Sequence, residues 1–169
     1  MKIAVLGYSG AGKSTLAGVL AKHYDIPVLY LDTVQFLPDW EIRAEDEKKK
    51  IVFDFMQNES WVIDGNYRSL YKKERLEQAD KILILSFNRF FCLFSALKRY
   101  YDNQGKNRES MADGCIEKFD FDFAMWILFK GRTFRRRKGY KEIYETYREK
   151  TIWFKNRNQV NEYINSLKN

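Results

Sequence analysis

Gly7-Tyr8-Ser9-Gly10-Ala11-Gly12-Lys13-Ser14 sets the frame for the whole chain. It spells G-x-x-x-x-G-K-[ST], a pattern in which each residue type has a mechanical reason. Gly7, Gly10 and Gly12 let backbone N–H groups converge on phosphate oxygens. Lys13 supplies a cation to the β- and γ-phosphates, and Ser14 offers its hydroxyl to magnesium at a helix N-terminus. Ser9, Ala11 and Thr15 complete the expected nucleotide-binding segment.

The flanks supply the context the motif requires. Ile3-Ala4-Val5-Leu6 is a short apolar run ended by glycine, as expected of a strand buried on both faces of a parallel sheet. Lys13 to Tyr24 then places Leu16, Val19, Leu20 and His23 or Tyr24 at helical spacing. His23 reads as a helix-terminus or surface residue.

Further strands follow at Val28-Leu29-Tyr30-Leu31, Trp61-Val62-Ile63-Asp64-Gly65, Ile82-Leu83-Ile84-Leu85 and Thr151-Ile152-Trp153-Phe154. A second helix is expected over Ala44 to Asn58, with Ile51, Val52 and Phe55 on one face, and a closing helix over Val160 to Leu167. Strands alternating with helical segments argue for an α/β fold of βαβ units around a parallel sheet. Residues 1–169 are the size of one domain. An aromatic, basic and mostly helical insert, Arg89 to Lys150, separates the last two strands, with 99–138 as its lid-like portion. A mobile lid and an extra packed helical layer look alike at this level. The runs Phe87 to Phe94 and Phe119 to Phe129 are expected in the core, since Phe90, Phe91, Phe94 and Leu97 recur at helical spacing.

Composition narrows the function classes. A net charge of +7 suits phosphate-bearing ligands, nucleic acid or plain solubility. Cys92 and Cys115 are the only cysteines, too few for a disulfide framework or a four-cysteine zinc site, so free thiols and no structural metal are expected. No apolar run spans a bilayer, and no signal peptide precedes the glycine loop. The expectation is a cytoplasmic protein without a membrane partner.

Several side chains follow strand ends. Asp64 stands where a carboxylate orients magnesium, directly or through water, although aspartate is also a common turn residue. Asp32 has two competing roles: acceptor of the proton from an attacking hydroxyl, or cap of the segment that follows. Arg43 and Arg68 suit bidentate binding of an acceptor oxyanion, against the alternative of solvated helix charges. In the basic run Lys130 to Lys138, Arg132 and Arg136 would share a helix face, where like charges repel unless an anion joins them. A lid arginine pair closing on transferring phosphate, a nucleic-acid patch and a solvated face balanced by Glu142, Glu145 and Glu149 all fit that run.

With these residues named, the chain resembles the adenylate-kinase-like P-loop kinases, and more closely the bacterial DNA topology modulation (FlaR-related) proteins. The likeness rests on Gly7 to Ser14, on Leu31-Asp32 followed by Pro38-Asp39-Trp40, on Trp61 through Arg68, and on Ala79-Asp80 before the fourth strand. The resemblance implies a P-loop three-layer sandwich with a five-stranded parallel sheet ordered 2-3-1-4-5, a lid before the last helices, and ATP with Mg2+ as donor. It also implies that the loop Lys155-Asn156-Arg157 borders the adenine. Nucleoside monophosphate kinases usually continue the third strand as Asp-Gly-Phe-Pro-Arg, whereas Asp64-Gly65-Asn66-Tyr67-Arg68 stands here, so AMP is not the expected acceptor.

The expected function is therefore an ATP-dependent phosphotransferase acting on a small molecule or nucleotide. Lys13, Asp32, Arg132 and Arg136 are its catalytic set. Gly7 to Thr15 with Arg157 bind nucleotide, Asp32, Arg43 and Arg68 bind the acceptor, and Ser14 and Asp64 hold magnesium. The alternative class is a nucleotide-switched, DNA-associated regulator of DNA topology, for which no helix-turn-helix, zinc finger or similar reading module is evident. A third reading only hydrolyses ATP.

Overall fold

A computed structural model of the 169-residue chain describes residues 1–103, 110–112, 114–115 and 119–168. Five parallel strands, β1 (Lys2–Gly7), β2 (Val28–Tyr30), β3 (Trp61–Asp64), β4 (Lys81–Leu85) and β5 (Thr151–Phe154), form one sheet in the order β2-β3-β1-β4-β5. Ile3 to Leu6 on β1 and Ile82 to Leu85 on β4 are wholly buried, because helices cover both faces of the central strands. The fold is α/β and P-loop kinase-like, with the strand order expected from the resemblance.

Register positions the chemistry. Val5 and Tyr30 are both Cα partners of Asp64 across their ladders. The loop after β1, the segment after β2 and Asp64 therefore leave the sheet at one carboxyl edge, the crevice where α/β folds bind ligands.

Helix α1 spans Lys13–Tyr24, as its apolar spacing predicts. β2 ends one residue short of the expected strand, since Leu31 opens a short helix, α2 (Leu31–Gln35). Helix α3 (Glu45–Met56) buries Lys48, Val52 and Met56, whereas Ile51 faces outward. A further helix, α4 (Lys72–Gln78), follows β3. Helix α8 (Arg157–Ser166) closes the chain and starts three residues before the expected Val160.

The insert contains α5 (Arg89–Asp102), α6 (Phe121–Leu128) and α7 (Phe134–Thr146), with a 3-10 turn at Lys130–Arg132. Part of the expected lid span 99–138 lies outside the described residues. Its described helices pack onto the phosphate loop: the Trp126 indole N–H donates to Ser9 Oγ at 3.3 Å, and the Tyr140 ring meets Tyr8 edge-on at 5.4 Å.

The two aromatic runs are not the core elements expected of them: in the second, Phe121 and Phe129 are 79% and 52% exposed. Phe90, Phe91 and Phe94 are 59%, 42% and 66% exposed, while Cys92 and Ala96 are the buried residues of α5. The reason is close approach: a Cβ on Gly10 would collide with the carbonyl of Cys92. A helix seated that tightly against the loop turns its small residues inward, and the large rings go to the other side.

Candidate active site

The phosphate loop starts where β1 ends. Tyr8 N–H donates to the Leu85 carbonyl at 3.0 Å, tying the loop to β4. Gly10 adopts φ +76° and Gly12, the N-cap of α1, adopts φ +86°, both in the left-handed region that L side chains rarely enter. No side chain caps α1. Its first amides are therefore left for an anion, which the helix N-terminus favours. The Lys13 ammonium curls back to donate to the Tyr8 carbonyl at 3.2 Å.

Beside the loop, Ser14 Oγ donates to Asp64 Oδ2 at 2.6 Å. Asp64 is only 5% exposed, and its Oδ1 is buried with no hydrogen-bond partner. Burial raises the Asp64 carboxyl above the ordinary range, against the opposing pull of the Lys13 charge and the Ser14 hydroxyl. A buried carboxylate with one unmet oxygen, paired to a loop serine, is a donor set that fits Mg2+, which prefers oxygen ligands and fills its shell with water and phosphate.

Asp32 sits in the first turn of α2 and is exposed. The Tyr67 hydroxyl donates to Asp32 Oδ1 at 2.7 Å. Tyr67 ionises well above its ordinary range, because burial and then the charge of Asp32 both penalise the phenolate. The capping role has no support, since Tyr30 is the N-cap of α2 and no side chain caps that helix.

Three residues absent from the sequence-level site shape it. Asn66 grips Gly7 on both sides, its Nδ2 donating to the Gly7 carbonyl at 2.7 Å and its Oδ1 accepting from the Gly7 N–H at 3.2 Å. Tyr140 of α7 donates to the same Oδ1 at 3.2 Å. Arg75 is 1% exposed and donates to the carbonyls of Leu70, Gly65 and Tyr67. It thereby holds the segment from Gly65 to Leu70 in shape, and burial brings its guanidinium down to about 10. Asn66 was legible as the departure from Asp-Gly-Phe-Pro-Arg. Arg75 carried no signal, because an arginine in a charged helix looks solvated until the packing is known.

The arginines separate. Arg43 Nε donates to the Val34 carbonyl at 3.0 Å, and Nη1 lies 3.9 Å from Glu47, so this side chain braces the segment between α2 and α3. Arg132 and Arg136 do not share a helix face, because Thr133 caps α7 between them. Arg132 turns inward, donating from Nε to Ile127 O and from Nη1 to Phe87 O, each at 2.8 Å, and it lies 4.0 Å from the centre of the Tyr8 ring. The Arg136 guanidinium lies 4.5 Å over Trp126. Arg68 is exposed just past β3. Lys72, at the start of α4, is half-buried, and the charges acting on it belong to Arg75, Arg68 and Arg136. Burial first and these cations second lower its ammonium to about 8.

A cavity of about 820 Å³ lies against the loop, lined by Gly10 to Thr15 together with Phe91, Ser95, Arg99 and Arg157. Arg157 Nη1 comes so near Gly12 that a Cβ there would sit 2.8 Å from it. Arg157 therefore borders the phosphate loop at Gly12. Among the described residues no cluster of three or more His, Cys, Asp or Glu converges, and no helix is long and apolar enough to cross a membrane.

No family model matches the chain, and no curated protein matches it in sequence. Among solved structures, shikimate kinase from Bacteroides thetaiotaomicron aligns over 99% of this chain and 96% of its own, with a TM-score of 0.51 and 16% identity. An uncharacterized protein from Eubacterium ventriosum aligns over 99% of both chains, with a TM-score of 0.48 and 16% identity. At that identity the first likeness is one of fold: the chain shares the P-loop kinase-like architecture.

Proposed function

We propose that the protein is an ATP-dependent phosphotransferase with a small anionic molecule bearing a hydroxyl as acceptor. The observation that carries this reading is the Ser14–Asp64 pair, at 2.6 Å, with an unpartnered buried carboxylate oxygen beside the glycine loop. In the donor half, the amides of Gly10 to Thr15 and the Lys13 ammonium bind the triphosphate, Phe91 and Arg157 border the base, and Ser14 and Asp64 hold Mg2+. Bound magnesium supplies charge neutralisation across the β- and γ-phosphates.

In the acceptor half, Asp32 takes the hydroxyl proton while Tyr67 holds the carboxylate in place. Arg68, Lys72 and Arg136 receive the acceptor's anionic group, since the charges of Arg68 and Arg136 both act on the half-buried Lys72 and an anion would offset that repulsion. Arg136 also faces charge that develops on transfer. Arg132 acts as a brace behind the loop, and Arg43 as a support of the Asp32 segment. Within the basic run, Arg132 turns inward, Arg136 lies on Trp126 and Lys138 pairs with Glu142 at 3.7 Å, which weighs against a nucleic-acid face along its whole length.

The test is an acceptor screen with Mg-ATP, spanning nucleosides, nucleotides and hydroxylated carboxylates or phosphates, with an acceptor-free control for simple hydrolysis. Product phosphate ester with an anionic acceptor is expected, and Lys13→Ala should abolish both turnover and thermal stabilisation by Mg-ATP. No product with any acceptor, together with unchanged stabilisation of Lys13→Ala, would overturn the reading.

A further inference from the structure

A second groove, of about 830 Å³, opens beyond the carboxyl ends of β4 and β5 and shares no lining residue with the donor cavity. None of Asp32, Tyr67, Arg68, Lys72 and Arg136, the residues assigned to the acceptor half, lines it either. Its cations are Arg132, Arg137, Lys138, Lys141 and Lys155. Lys138 and Lys141 are matched at 3.7 and 3.5 Å by Glu142 and Glu145 one helical turn on. Among the described residues, no carboxylate lies within ion-pair distance of the other three.

Arg132 makes this more than a surface charge patch. Two of its three nitrogens are satisfied by the carbonyls of Ile127 and Phe87, and Nη2 is buried, closed to the groove, on a guanidinium whose charge acts on the buried Cys92 thiol. The two carbonyls hold the guanidinium in place before any ligand arrives, and a fixed cation on the wall favours an anion in the groove beside it. The walls are aromatic and fixed. The Trp153 indole N–H donates to Ser86 Oγ at 2.6 Å, the Lys155 ammonium lies 3.2 Å from the Trp153 ring centre, and Phe134 stands 75% exposed at the mouth. A planar ring carrying a phosphate matches both features, and the volume is that of a small-molecule site. Glu142 and Glu145 on the same rim disfavour a continuous phosphate backbone.

We propose that this groove is a second ligand site, which takes a small aromatic phosphate of the size and charge of a nucleoside monophosphate. Its occupant would touch Arg132, which itself packs on Tyr8 of the phosphate loop.

Calorimetric titration tests this without any turnover. Adenosine 5′-monophosphate is titrated into wild-type protein and into the double variant Lys13→Ala with Arg68→Ala, in which the donor and acceptor halves are impaired. Saturable binding should survive in the double variant. On that background, Arg137→Glu or Lys155→Glu should weaken it at least about tenfold, with thermal unfolding unchanged. Glu142→Gln should tighten it, which keeps the test decisive if a charge reversal perturbs folding. Ribose 5-phosphate and inorganic phosphate, lacking the ring, should bind more weakly. Binding lost in the double variant, binding indifferent to all three groove substitutions, equal binding of ribose 5-phosphate, or binding of a single-stranded oligonucleotide alone would each overturn the proposal.

Discussion

Asp64 is the residue at which the proposed metal site would couple folding to ligand binding. Burial raises its carboxyl above the ordinary carboxylate range, so the ionised form is disfavoured in the folded, ligand-free chain. Its contribution to stability is fully present below the ordinary carboxylate pKa and is lost as pH rises through the raised folded value. At neutral pH Asp64→Asn should therefore raise the thermal midpoint of the ligand-free protein, and it should reduce the further stabilisation given by Mg-ATP. A lower midpoint in differential scanning calorimetry would count against the buried-carboxylate account. Lys72 has the opposite sign. Its ammonium falls to about 8, so its contribution is present above the ordinary lysine pKa and is lost as pH falls through about 8. A bound anion reverses that cost. KM for an anionic acceptor should rise as pH climbs past about 8, and Lys72→Gln should flatten that rise. Of the candidate residues, Ser14, Asp64 and Asp32 were legible because each sits at a fixed step from a strand or glycine. Lys72 and Arg75 were not, because neighbours distant in sequence decide whether a helix cation is solvated or enclosed.

Among the elements, α5 and the phosphate loop are coupled by contact rather than by sequence. Gly10 combines φ +76° with a backbone carbonyl of α5 where its Cβ would be. Gly10→Ala should therefore cost at least about 1–2 kcal/mol from the left-handed backbone alone, and more from displacing α5. Chemical denaturation would measure the loss, and ATP affinity should fall with it; an unchanged midpoint would mean the loop and helix separate freely. The strands were legible as short apolar runs rich in branched residues, except that Leu31 belongs to α2. The aromatic run in α5 was misread, since helical spacing defines a face without saying which side meets the sheet. Cys92 and Ala96 lie on the side the loop selects, because only small side chains fit there.

Across the molecule, the described helices of the insert and the phosphate loop form one packed body. Trp126 reaches Ser9, Arg132 reaches Phe87 and Tyr8, and Tyr140 reaches Asn66, which itself clamps Gly7. Mg-ATP should thus slow backbone amide exchange in α6 and α7 as well as in the loop. Protection confined to the residues from Gly7 to Thr15 would show that the helices move independently of the ligand. The order of strands, helices and glycine loop was determined by the sequence alone, because β runs, helical periodicity and phosphate-cradling turns are local properties of the chain. Only the tertiary structure decided which cations face one another. It split the basic run between a brace on Tyr8, a stack on Trp126 and an open groove by Trp153, since charge is compensated through space and not along the chain.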